Sequence, residues 1–243
     1  MSCSRDSRTR ELLDGARHIL PLLLGAIPFA ILFGSLAIDA GLTTAQTLGM
    51  SLLVFAGAAQ FVAITLLAGS AGAAVVLSTT LVINLRHLLY SAALQPHVRH
   101  LPSRWRVLLA FWLTDEAYAV VQQRYARDDG SSCKHWFYLG SALAMYANWQ
   151  LFTLVGVLFG QRVPNLTAWG LDFAMLATFI GIVVPTLRNR PSLAAALVAG
   201  GTALASRDLP FQSGMLVAAV AGIVVGVLLE RRAGNRLTGE AAR

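Results

Sequence analysis

The sequence predicts an all-α polytopic membrane bundle of about six to eight membrane segments, some of them broken or re-entrant. Three observations carry that prediction. Hydrophobic residues make up 56% of the 243-residue chain and charged residues only 13%, against roughly a quarter charged in an average soluble domain. Apolar runs of roughly 17–25 residues, the span a helix needs to cross a bilayer, recur along the whole length. The 19 basic residues, nearly all arginine, lie mostly in the short links between those runs, the pattern that marks cytoplasmic loops.

The runs are 18–38, 45–68, 73–94, 107–123, 136–159, 168–187, 192–206 and 211–229. Stop signals separate them: Gly41, Pro96, Pro102, Gly130, Pro164, Pro191 and Pro210. No long linker intervenes, so residues 18–230 form a single transmembrane domain. Residues 1–17 are expected to be a cytoplasmic N-terminal segment and 231–243 a cytoplasmic basic tail. The N-terminus lacks the short apolar core and cleavage site of a signal peptide, and the expected location is a bacterial inner (plasma) membrane.

Parity tests this layout. If the basic links 1–17, 97–106, 124–134, 188–190 and 231–243 all face the cytoplasm, an even number of crossings must separate neighbours. Runs five to eight obey. Three runs separate the first two links and one separates the next two, so some early runs must be broken or fail to cross.

Run four, "RVLLAFWLTDEAYAVVQQR", is one suspect. Its seven Leu, Val and Phe residues between 107 and 121 contribute about −2 to −4 kcal/mol of insertion free energy, while Asp115 and Glu116 cost about +5 to +7. It must be re-entrant or sheltered by protein around a wet cavity. Run two is the other suspect. Its centre, "FAGAAQF", puts Gly57 where a helix can break and expose N–H groups to an anion, with Gln60 close by; close packing of small residues between helices is the competing reading. A weaker repeat, "LTTAQ" at 42 with Phe55 and Gly57 against "LTAWG" at 166 with Phe179 and Gly181, suggests a duplicated architecture.

Run three carries Asn84, Arg86 and His87 inside apolar sequence. Asn84, His87 and Ser91 share one helical face, and Arg86 and Tyr90 a neighbouring stripe. A buried guanidinium is tolerable when a carboxylate takes its fork of donors, so Asp115 or Glu116 is expected to pair with Arg86. The other acid is then free to change protonation, and an imidazole does so at physiological pH. Ionisable groups inside a membrane mark transport paths; a pair that only locks two helices is the alternative. Asn148, Gln150 and Asp172 add polarity to runs five and six, and Trp105, Trp136 and Trp169 near run ends suit interfacial anchors.

Other chemistry finds little support. No nucleophile elbow, zinc helix or phosphate-binding glycine loop is present, so an enzyme is not expected, nor any cofactor. His97 and His100 form a loop pair with no third ligand, so no metal is expected. The basic residues are dispersed and not interleaved with aromatics, which argues against nucleic acid. Cys3 and Cys133 fall in segments assigned to a reducing cytoplasm and are expected to stay unpaired.

The segments "GAIPFAILFGSLAIDAGLTTAQTLGMSLLVFAGAAQFVA", "LVINLRHLLYSAAL", "FWLTDEAYAV" and "LDFAMLATFIGIVVPTLRNRPSLAAALVAG" resemble the AzlC family over residues 15–230. That resemblance implies the large subunit of a two-component exporter of leucine, isoleucine and valine, driven by the proton gradient. It also implies an AzlD-like companion of about four helices, hence about 100 residues. The expected cargo and proton pathway comprises Gly57, Gln60, Asn84, Arg86, His87, Asp115 and Glu116. The amino acid's carboxylate would meet N–H groups around Gly57 or Arg86, and its ammonium Asp115 or Glu116. The alternative function is a channel or structural membrane subunit without proton coupling.

Overall fold

A computed structural model describes residues 3–160, 180–181, 183–184, 187–207, 209 and 213–240. Its helices are α1 (Arg5–His18), α2 (Leu20–Asp39), α3 (Thr44–Val54), α4 (Gly57–Ala68), α5 (Ala73–Asn84), α6 (Arg86–Val98), α7 (Ser103–Phe111), α8 (Asp115–Tyr125), α9 (Lys134–Phe159), α10 (Arg190–Ala205) and α11 (Ser213–Glu240). No strand occurs among the described residues. The stretches Leu20–Asp39, Ala73–Val98 and Lys134–Phe159 are long and apolar enough to cross a membrane. The protein is an all-α membrane protein.

Runs two and four are both interrupted. Between α3 and α4 the chain leaves helical geometry at Phe55 and Ala56, one residue ahead of Gly57. Between α7 and α8 it does so around Trp112–Thr114. Trp112 therefore does not share a helical face with Glu116. Run three, read as one helix, is notched at Leu85, with Asn84 ending α5 and Arg86 opening α6. His97 lies in α6 and not in a loop, because the helix continues through Pro96 to Val98, and its ring stacks on Tyr125 at 4.9 Å. Most of run six, the second copy of the repeat, Trp169 and Asp172 lie outside the described residues.

Helix α9 is the central strut, packing against α1, α2, α3, α7 and α8. Its crossings with α1 and α2 are made by glycines on both sides. A Cβ at Gly15 would stand on the Phe137 carbonyl and one at Gly140 on that of Leu12; Gly34 meets the Thr153 carbonyl and Gly156 that of Ile31. Where lipid removes the hydrophobic drive between helices, such close approach supplies the dispersion contacts that hold them.

Polar side chains brace the breaks. A helix that ends inside the membrane leaves last-turn carbonyls without intrahelical donors. In α3, the Met50 carbonyl accepts from Gln60 Nε2 (3.2 Å), that of Ser51 from Gln150 Nε2 (3.0 Å) and that of Leu52 from Tyr146 Oη (3.1 Å). In α7, the Leu109 carbonyl accepts from Tyr138 Oη at 3.0 Å. Asn148 Nδ2 donates to the Leu23 carbonyl at 3.4 Å.

The N-terminal helix is part of this packing. Ser4 caps α1 by accepting from the Ser7 N–H at 3.2 Å. Glu11 accepts from Arg124 through both oxygens and from the Ser131 hydroxyl at 2.8 Å. Contrary to the sequence expectation, Cys3 and Cys133 are joined in a disulfide, their Cα atoms 5.7 Å apart across 130 residues. The compartment argument weighs the redox state of solution. It is silent on α1 folding back along α9, which sets residue 3 beside residue 133.

Candidate functional site

The helix breaks converge on one cavity, about 50 Å³ in volume, room for a few waters. Its walls come from α2 (Gly25, Ala26, Phe29), the α3–α4 break (Phe55, Ala56, Gly57, Ala58, Phe61), α6 (Arg86, His87), the start of α8 (Thr114, Asp115, Glu116) and α9 (Met145, Trp149). Two half-helix N-termini, those of α4 and α8, therefore line it. Each carries about half a positive charge on its free N–H groups.

The two ends are finished differently. At α8 the Thr114 hydroxyl accepts from the Ala117 N–H at 3.2 Å, and Asp115 and Glu116 place negative charge in the first turn. At α4 the N-cap is Ala56, and no side chain caps the end. Its N–H groups remain available at the cavity edge.

Arg86 Nη1 stands 2.8 Å from Asp115 Oδ2, so Asp115 is the partner the guanidinium required. Tyr90 Oη donates to the other oxygen, Oδ1, at 2.6 Å. Asp115 is 8% exposed, and these two donors compensate the loss of water at each carboxylate oxygen. Glu116 makes no ion pair among the described residues. Arg86 Nε is buried without a partner among the described residues, leaving the guanidinium a further donor.

Five of the seven residues selected from sequence meet here: Gly57, Arg86, His87, Asp115 and Glu116. Gln60 and Asn84 do not line the cavity. Gln60 is fully buried behind it, holding the end of α3, and the Asn84 carbonyl accepts from His87 Nδ1 at 3.1 Å when that nitrogen carries the proton. Three contributors went unselected. Tyr90 was placed on the Arg86 stripe, but nothing local says that its hydroxyl reaches Asp115. Phe29 looks like any buried apolar residue. Trp149 offered a signal: it sits mid-run, away from the interfacial belt where membrane tryptophans gather.

A family described as "AzlC protein" matches residues 21–163. An "Uncharacterized membrane protein" of Archaeoglobus fulgidus is 34% identical over 219 residues, covering 89% of this chain and 94% of that protein. "Inner membrane protein YgaZ" of Escherichia coli is 29% identical over 223 residues, covering 89% and 88%. "Branched-chain amino acid transport protein AzlC" of Bacillus subtilis is 28% identical over 211 residues, covering 87% and 81%. No solved structure matches the chain.

Proposed function

The chain belongs to the AzlC family, and from that premise we propose that it exports apolar, branched-chain amino acids through the cavity between the broken helices. One observation supports this reading above the rest. An uncapped helix N-terminus at Gly57 and a carboxylate pair at Asp115–Glu116 border a single cavity whose remaining walls combine Arg86, His87 and Thr114 with aromatic and aliphatic side chains. A zwitterion with an apolar side chain presents the three matching parts: an anion for N–H groups, a cation for carboxylates, and hydrocarbon for the rings.

Division of labour between the acids supports proton coupling. Asp115, held by Arg86 and Tyr90, fixes α6 to α8. Glu116 carries the moving proton, with His87 as its relay, and inward proton flow drives outward cargo. A small AzlD-like membrane subunit completes the carrier in the inner membrane. A cavity built around one polar cluster suits a carrier better than a channel, which needs a continuous polar path.

The test compares retention of labelled valine in preloaded cells with and without the protein, before and after an uncoupler. Faster efflux that the uncoupler abolishes is expected. Equal retention in both cells removes the export reading, and uncoupler-resistant efflux removes the coupling.

A further inference from the structure

Trp149 is only 5% exposed, yet its ring lines the cavity. It is held from two sides. Phe33 stacks on it at 6.3 Å with the planes 28° apart. On the other side, a Cβ built at Gly57 would come within 3.0 Å of its Cη2, so glycine lets the indole lie against the first turn of α4. Packing alone does not account for an indole here. Its Nε1 is buried with no partner among the described residues, a penalty that Phe or Leu in the same space would avoid.

The volume of the cavity supplies the second half of the argument. About 50 Å³ admits a cargo side chain only if a lining ring yields, and Trp149 is the bulkiest side chain in the lining. We propose that Trp149, backed by Gly57, sets the upper size limit on the cargo side chain, admitting branched aliphatic chains and excluding aromatic ones. The inference rests on the transport reading above.

Full-length protein, reconstituted in proteoliposomes together with its small companion subunit, is assayed by counterflow of labelled valine, leucine, alanine and phenylalanine. Trp149→Leu is expected to raise the phenylalanine-to-valine ratio about tenfold, the scale on which pocket size discriminates. Gly57→Ala, whose Cβ would stand 3.0 Å from the indole Cη2 and crowd the lining there, is expected to lower the leucine-to-alanine ratio. A ratio is insensitive to the amount of folded protein, so a merely structural role leaves it unchanged. Valine transport by Trp149→Leu with an unchanged phenylalanine ratio overturns the inference alone. If Trp149→Leu carries nothing, Gly57→Ala decides: a lowered ratio supports the proposal and an unchanged one overturns it. Wild-type protein that carries none of the four amino acids overturns the transport reading, and this inference with it.

Discussion

Neutralising the two acids one at a time should separate structure from transport. Asp115→Asn leaves Arg86, whose side chain is 23% exposed, facing an amide in place of its 2.8 Å carboxylate partner. Removing one member of a buried pair costs about 3–5 kcal/mol; the guanidinium's partial exposure lowers that to about 2–3 kcal/mol. At about 2–4 °C per kcal/mol for a chain of this size, Asp115→Asn should melt about 4–12 °C lower. Adding Arg86→Gln should recover part of the loss, because no charge is then stranded. Glu116→Gln strands nothing among the described residues, so its melting temperature should stay within about 2 °C of wild type by the same scaling, while uncoupler-sensitive valine efflux disappears. Thermal unfolding in detergent, followed by size-exclusion chromatography, reads the first quantity and valine efflux from cells the second. Unchanged efflux in both amide variants removes the acids from the mechanism. Equal destabilisation by the two refutes the division of labour.

The remaining expectations concern the scaffold. Gly156→Val sets a branched side chain against the Ile31 carbonyl and should cost about 1–3 kcal/mol or more as overpacking, read as a lower yield of monodisperse protein; Gly181→Ala, which meets nothing among the described residues, is the control. Gln150→Leu removes the donor to the Ser51 carbonyl and should cost about 1–3 kcal/mol in the same melting assay, with export falling as α3 frays at its break. Cys3 and Cys133 should resist maleimide labelling until a reductant is added, since both sulfurs are taken up in the disulfide; labelling of unreduced, folded protein refutes the link. Asp129 accepts from the Ser131 N–H and faces Lys134 and Arg124, and these contacts lower its carboxyl from 3.8 to about 2. Its contribution is therefore complete above the unfolded value and is lost as pH falls through about 2. Asp129→Asn should remove that part of the acid-unfolding curve, and identical curves refute it.

The break in run two was legible in the sequence, and its support was not. Glycine in "FAGAAQF" marks where α3 can stop, while the adjacent acids in "LTDEA" mark run four as unable to insert alone without saying where α7 stops. The pairing of Arg86 with an acid follows from cost in the same way. Choosing Asp115 over Glu116 does not, because adjacent residues on a helix point about 100° apart and only the packing of α6 against α8 decides between them. The side chains that satisfy the broken ends lie farther off still. Tyr146 reaches Leu52 across 94 residues and Gln150 reaches Ser51 across 99. Such polar residues in run five read as ordinary interhelical glue until α9 is seen to run past both breaks.

The same geometry explains why a strut is needed. In the proposed export reading, a cargo can use the N–H groups of a half-helix end at the cavity only if the chain does not satisfy them internally. The opposite ends, α3 and α7, must then be fully satisfied, or the membrane would favour one continuous helix over two halves. Gln60, Tyr146 and Gln150 toward the end of α3 and Tyr138 on α7 supply four of those bonds. Gln60 belongs to this bracing, which is why a residue first selected as part of the cargo path lies fully buried behind it. Gln60→Leu should accordingly lower stability while leaving selectivity among transported amino acids unchanged. A variant that keeps its melting temperature but changes its substrate preference would return Gln60 to the path and break this account of the strut.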